Sequence, residues 1–164
     1  MKKIILLLSG WVGCWMAAPS TAQEMLIGLE IPQQQAAQYY RPYVAVWIED
    51  EQQQPVRLLT VWQDKPDWLK DLRRFWRKTG RSDSALVDGM TGATRGPGRY
   101  QLSWDGLDDE GKKVAAGQYV LFVEAAREQG GRSLQRQPFN WQQGAITLQQ
   151  PAAPELGPLS LTIK

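Results

Sequence analysis

The chain has 164 residues, with 19 lysines and arginines against 17 aspartates and glutamates, no histidine and a single cysteine, Cys14. That length favours one domain. Without histidine no Ser-His-Asp or Cys-His nucleophile can be assembled, and no ordinary zinc, haem or iron–sulfur site is available, so any redox work needs an organic cofactor.

The first 22 residues read as a leader. Lys2 and Lys3 precede an apolar run over residues 4–15, and Ser20-Thr21-Ala22 offers a small-residue cleavage site before Gln23. This is the layout of a secretory signal peptide, and the run is too short and interrupted to span a bilayer. Trp11-Val12-Gly13-Cys14 departs from a lipoprotein box at its first position, so soluble export is the expectation. Residues 23–164 then form a single exported domain. Removing Lys2 and Lys3 lowers the basic count from 19 to 17, equal to the acidic count. A neutral domain argues against nucleic acid as a partner. With no cysteine left, a hydrophobic core that includes six of the eight tryptophans must hold the fold without disulfides.

Residues 25–31 (MLIGLEI) read as a first strand. Residues 42–48 (PYVAVWI) alternate, with Val44, Val46 and Ile48 on one face and Tyr43, Ala45 and Trp47 on the other. Both faces are apolar, which predicts a strand covered on both sides. After a polar turn over 49–55, residues 56–63 (VRLLTVWQ) return as a hairpin. Residues 66–79 (PDWLKDLRRFWRKT) switch period, with Trp68, Leu69, Leu72, Phe75 and Trp76 at helical spacing. They predict one amphipathic helix of about four turns, with Arg73, Arg74, Arg77 and Lys78 largely off the apolar stripe, as a solvated face or, alternatively, a binding patch, the solvated face being the expectation. Further strands are expected at 99–104, 117–125, 132–141, 145–148 and 159–163. About seven or eight short strands separated by turns predict a mainly β fold, an immunoglobulin-like β-sandwich with one inserted amphipathic α-helix.

Two acidic runs invite other readings. Asp105, Asp108, Asp109 and Glu110 are oxygen ligands of the kind calcium takes, but not at EF-hand spacing; a tight turn with Asp105 bonding turn amides is the alternative. Glu49-Asp50-Glu51 can supply paired carboxylates for hydrolysis or form a solvated turn, which is the expectation.

Residues 88–98 (DGMTGATRGPG) are rich in glycine and read as an ordered turn or exposed loop. Within them, Asp88-Gly89-Met90-Thr91-Gly92-Ala93-Thr94 resembles the D-x-x-[S/T]-G-A-T signature at which bacterial flavin transferases attach flavin mononucleotide (FMN) to the last threonine. The resemblance makes Thr94 the acceptor, Asp88 and Thr91 recognition positions, and Gly92 and Ala93 small neighbours that admit an enzyme. Arg95 stands where known carriers have a small or hydroxylic residue. If FMN is attached, Arg95 or Arg99 can stabilise reduced-flavin charge, or serve only as solvated loop arginines. Trp62, Trp68, Trp76, Trp104 and Trp141 can stack on the ring or fill the core.

Two larger resemblances follow. Tyr100-Gln-Leu-Ser-Trp104-Asp105-Gly106, Asp109-Glu-Gly111, Val114 and Gly117-Gln-Tyr119 resemble the immunoglobulin-like hairpin of flagellar hook-capping proteins. YVAVWIED, TVW, WLKDLRRFWR, DGMTGATRGPGRY, LSWDGLDDEG and VEAAREQGGR, in that order, resemble a family of predicted periplasmic bacterial proteins catalogued as domain of unknown function 2271. That resemblance implies a periplasmic location and association with flavin transferase and PepSY-type membrane proteins. The functional expectation is an electron-transfer domain carrying covalent FMN; the alternative is a non-enzymatic cell-envelope binding or scaffold module.

Overall fold

The computed structural model describes residues 23–35 and 38–164; the expected leader, with Cys14, lies outside the described residues. The strands are β1 (Met25–Ile31), β2 (Tyr43–Asp50), β3 (Pro55–Trp62), β4 (Thr91–Gly92), β5 (Gly98–Trp104), β6 (Gly117–Ala126), β7 (Arg132–Trp141), β8 (Ile146–Gln150) and β9 (Leu159–Ile163). They form a four-stranded sheet, β5-β1-β9-β8, and a five-stranded sheet, β4-β3-β2-β6-β7. The fold is mainly β, with two sheets and a few short helices. Among the described residues no helix is long and apolar enough to cross a membrane.

Strand alternation builds the core. Met25, Ile27, Leu29 and Ile31 of β1 and Leu159, Leu161 and Ile163 of β9 face Val44, Val46 and Ile48 of β2 and Leu121, Val123 and Ala125 of β6. The other face of the five-stranded sheet packs Tyr43, Ala45, Trp47 and Phe122 against Leu69, Leu72, Phe75 and Val87 of the helical segments. β2 is therefore buried on both faces, as its doubly apolar pattern predicts.

The single helix expected over 66–79 is instead a broken path. A 3-10 turn (Pro66–Asp71), one α turn (α1, Arg73–Phe75) and a π turn (Trp76–Gly80) follow one another, and a further helix, α2 (Ser84–Gly89), comes next. The break falls at Leu72, whose φ of −77° and ψ of 74° leave helical space. The group that caps the restart is distant in sequence. The Glu124 carboxylate on β6 accepts hydrogen bonds from Arg74 N (3.2 Å) and Phe75 N (2.8 Å), as an N-cap side chain does at a helix start. Buried Glu124 thus favours restarting the helix here over continuing it.

The W-D-G run is also not a hairpin between paired strands. β5 and β6 lie in different sheets, so residues 105–116 form an arch from one sheet to the other. Asp105 Oδ1 accepts from Leu107 N (3.1 Å), as the turn reading expects, and Trp104 Nε1 donates to Leu107 O (2.7 Å). Gly106, at φ +79°, lies against Trp141, and an added Cβ would stand 2.5 Å from its ring. Gly106→Ala combines positive φ with overlap against a buried indole, so a stability loss of about 2 kcal/mol or more is expected in urea denaturation.

Asp109 ties the arch to β3 by accepting from Leu58 N (2.9 Å). Burial raises its carboxyl above the ordinary 3.8, against the opposing effects of the Leu58 amide and Arg57. A raised acid pKa means that the folded state holds this proton more tightly than the unfolded chain. The wild type therefore loses stability as pH climbs from about 3.8 through the raised value. Asp109→Asn keeps an oxygen for Leu58 N–H without a charge. Thermal melts across this range should show that decline reduced in the variant, with no loss of Tm at neutral pH.

Candidate functional site

The glycine-rich signature begins on a helix, not in a loop. Asp83 caps α2, its Oδ1 accepting from Leu86 N (2.9 Å), and Asp88 lies exposed in the last turn. Thr91 and Gly92 then pair in parallel with Val61 and Trp62 as β4. Val61 N donates to Met90 O (3.0 Å) and Gln63 N to Gly92 O (2.9 Å). Residues 93–97 leave the edge of the five-stranded sheet at Gly92 and enter the four-stranded sheet at Gly98, bridging the two layers at one end of the molecule.

The two threonines differ in kind. Thr91 Oγ1 donates to Val87 O (2.7 Å), closing the end of α2, and accepts from Gln63 Nε2 (3.4 Å). Thr94 is half-buried, and among the described residues its hydroxyl has no hydrogen-bond partner. Ala93 is exposed, and a Cβ on Gly96 would meet nothing within 4 Å. The threonine that the signature makes the acceptor is the one whose hydroxyl no fold contact occupies.

Arg95 lies over an aromatic pair. Its guanidinium carbon is 4.7 Å from the Trp62 ring centre and 5.2 Å from that of Tyr100. The two rings meet edge to face at 5.1 Å. Tyr100 Oη donates to Gly96 O (2.7 Å), tying the loop to β5. Arg99 points to a different partner, with Nε 2.9 Å from Glu30 Oε2. Gln63 Oε1, beside Thr91, is buried without a partner among the described residues. Of the tryptophans that sequence offers for stacking, Trp62, Trp104 and Trp141 are buried, Trp76 is half-buried and Trp68 is exposed. A threonine hydroxyl without a hydrogen-bond partner among the described residues, small neighbours and an exposed cation follow one another here, and the guanidinium covers the Trp62 and Tyr100 rings, Trp62 being buried. Asp88 stands in the last turn of α2, Thr91 and Gly92 form β4, and Ala93, Thr94 and Arg95 follow in the connection to β5.

A buried charge network lies elsewhere, under the helical layer. Glu49 accepts from Trp47 Nε1 (2.8 Å) and Arg74 Nε (3.2 Å), and Glu124 accepts from Arg132 Nε (2.7 Å). Glu49 and Glu124 are 1% and 0% exposed, which corrects the reading of Glu49 as a solvated turn residue and of Arg74 as solvent-facing. β2 runs two residues further than expected and carries Glu49 beneath Arg74. The signal available was a lone acid inside an apolar strand, VLFVEAA, since such a charge must find partners. At the end of the molecule that holds Arg95, Arg127 Nε donates to Glu155 Oε2 (2.9 Å). Burial raises the nearby Tyr39 phenol above its ordinary value of 10.

The acidic arch residues are engaged by backbone. Asp108 Oδ1 accepts from Glu110 N (2.9 Å) and Lys112 N (2.8 Å). A groove of about 780 Å³ is distant from Thr94, on the outer face of β6 and β7 beside β8, with Val120, Leu134, Pro138 and Ile146 in its wall.

A family model described as "Predicted periplasmic protein (DUF2271)" matches residues 24–157. No curated protein and no solved structure matches the chain.

Proposed function

The chain belongs to the DUF2271 family of predicted periplasmic proteins, and we propose that it is a redox module whose Thr94 carries FMN through a phosphoester. In that reading residues 1–22 are a cleaved leader and residues 23–164 an immunoglobulin-like sandwich. A flavin transferase is the modifying partner. The bond forms between Thr94 Oγ1 and the FMN phosphate as the pyrophosphate of flavin adenine dinucleotide breaks. Adenosine monophosphate leaves, and the hydroxyl proton passes to a base of the transferase. Asp88 and Thr91 are recognition positions, and Gly92 and Ala93 leave room for the second enzyme. The bound flavin would supply electron transfer, with a PepSY-type membrane protein as the partner that the family resemblance suggests. The observation that carries the reading is the contrast between the engaged Thr91 hydroxyl and the Thr94 hydroxyl, which has no partner among the described residues.

A second reading, a non-enzymatic cell-envelope binding or scaffold module, meets the family description equally well. The groove beside β7 favours it, because Leu134 and Ile146 are exposed there at 36% and 37%. One preparation separates the two. Protein purified from a host that exports it and contains a flavin transferase is yellow, absorbing and fluorescent in the first reading, and colourless in the second.

A further inference from the structure

Thr94 alone would suffice for attachment, yet the residue after it is built into a separate arrangement. Arg95 lies over two rings drawn from different sheets, Trp62 of β3 and Tyr100 of β5. A guanidinium is planar and is attracted to aromatic faces. Trp62 is buried, at 2% exposure, while Arg95 is exposed. The Tyr100 hydroxyl holds Gly96 O at 2.7 Å, so the same ring fixes the backbone just past Arg95. Arg99 is engaged by Glu30, which leaves Arg95 as the cation directed at the ring pair.

Resting on the covalent reading of Thr94, we infer that Arg95, with Trp62 and Tyr100 beneath it, is the positioning residue for the flavin ring. Because Arg95 follows Thr94 directly, a group esterified at Thr94 is tethered beside the guanidinium and the ring pair. Trp62 and Tyr100 hold the guanidinium in place from below, leaving its outer face to the ring. Arg95 supplies a positive charge fixed by its contact with the two rings, and that charge favours the form of the flavin ring that has gained negative charge. Its role is to set the potential, not to make the bond.

The test uses the full exported chain co-expressed with a flavin transferase, as wild type, Arg95→Gln and Arg95→Lys. Intact mass reports attachment. Flavin fluorescence before and after protease digestion reports whether the folded protein holds and quenches the ring. A titration with dithionite, which supplies the electrons while the buffer supplies protons, reports the midpoint potential. All three proteins should gain the same mass, and wild-type fluorescence should rise several-fold on digestion. Arg95→Gln should weaken the reduced form against the oxidised form by about tenfold, a fall of about 30 mV for a two-electron couple. Arg95→Lys, which keeps the charge without the plane, should fall between them. Equal fluorescence before and after digestion, or an Arg95→Gln protein with unchanged potential, overturns the inference while leaving the attachment standing. A wild type with no added mass, beside a second substrate that the same transferase modifies, overturns the covalent reading and the inference with it.

Discussion

Thr94→Ala should remove covalent flavin completely and leave the fold nearly unchanged. The side chain is half-buried in a connection between two edge strands and belongs to neither apolar cluster. Its hydroxyl stabilises nothing among the described residues, so the stability change should stay within about 0.5 kcal/mol. Thr91→Ala should act differently. It deletes the bond to Val87 O that closes α2, at a cost of about 1 kcal/mol. Modification should then weaken because the loop is less ordered, while the acceptor hydroxyl remains. Asp88→Ala, at an exposed helix position, should reduce modification only through lost recognition by the transferase. Paired denaturation and mass measurements separate these cases. A modified Thr94→Ala protein would move the acceptor to another hydroxyl, with Thr91 the next to test.

Glu124→Ala should loosen the helical layer from the sheet and destabilise the fold by about 3–5 kcal/mol. Glu124 is fully buried on β6 and receives two backbone amides of α1 together with the Arg132 guanidinium. Removing the carboxylate leaves the Arg74 and Phe75 amides and a partly buried arginine without their acceptor. Domain stabilities of about 5–15 kcal/mol make such a loss a large fraction of the total. The urea midpoint should fall steeply, and the amides of Arg74 and Phe75 should lose hydrogen-exchange protection first. Glu124→Gln, which keeps one oxygen, should lose less. A Glu124→Ala midpoint equal to wild type would show that the break at Leu72 has another cause.

The contrast between these two sites shows what could be read from sequence. Strands such as β1, β7 and β9 were legible because alternation is local, and their expected bounds coincide with the structure. β2 was legible as a doubly covered strand for the same reason. The helix break was not, because the group that caps the restart lies on β6 and acts across the sheet. Glu49 beside a polar turn looks solvated until Arg74 is placed above it. The W-D-G run shows a tight turn but not whether its flanking strands pair or change sheet, since that depends on partners elsewhere: β1 for β5, and β2 and β7 for β6. At the candidate site, the signature distinguishes Thr94 from Thr91 by position alone. The difference in hydroxyl engagement, and the ring pair under Arg95, needed β3 and β5 to be brought together.

Peptide mapping locates any flavin on the chain. The exported wild type, co-expressed with a flavin transferase, is digested and its peptides fragmented by mass spectrometry. The peptide containing Thr94 should carry an added mass of one FMN less a water, with fragment ions placing it on that residue. An unmodified peptide, from cells in which the transferase demonstrably modifies another substrate, would contradict it and leave the envelope-module reading in its place.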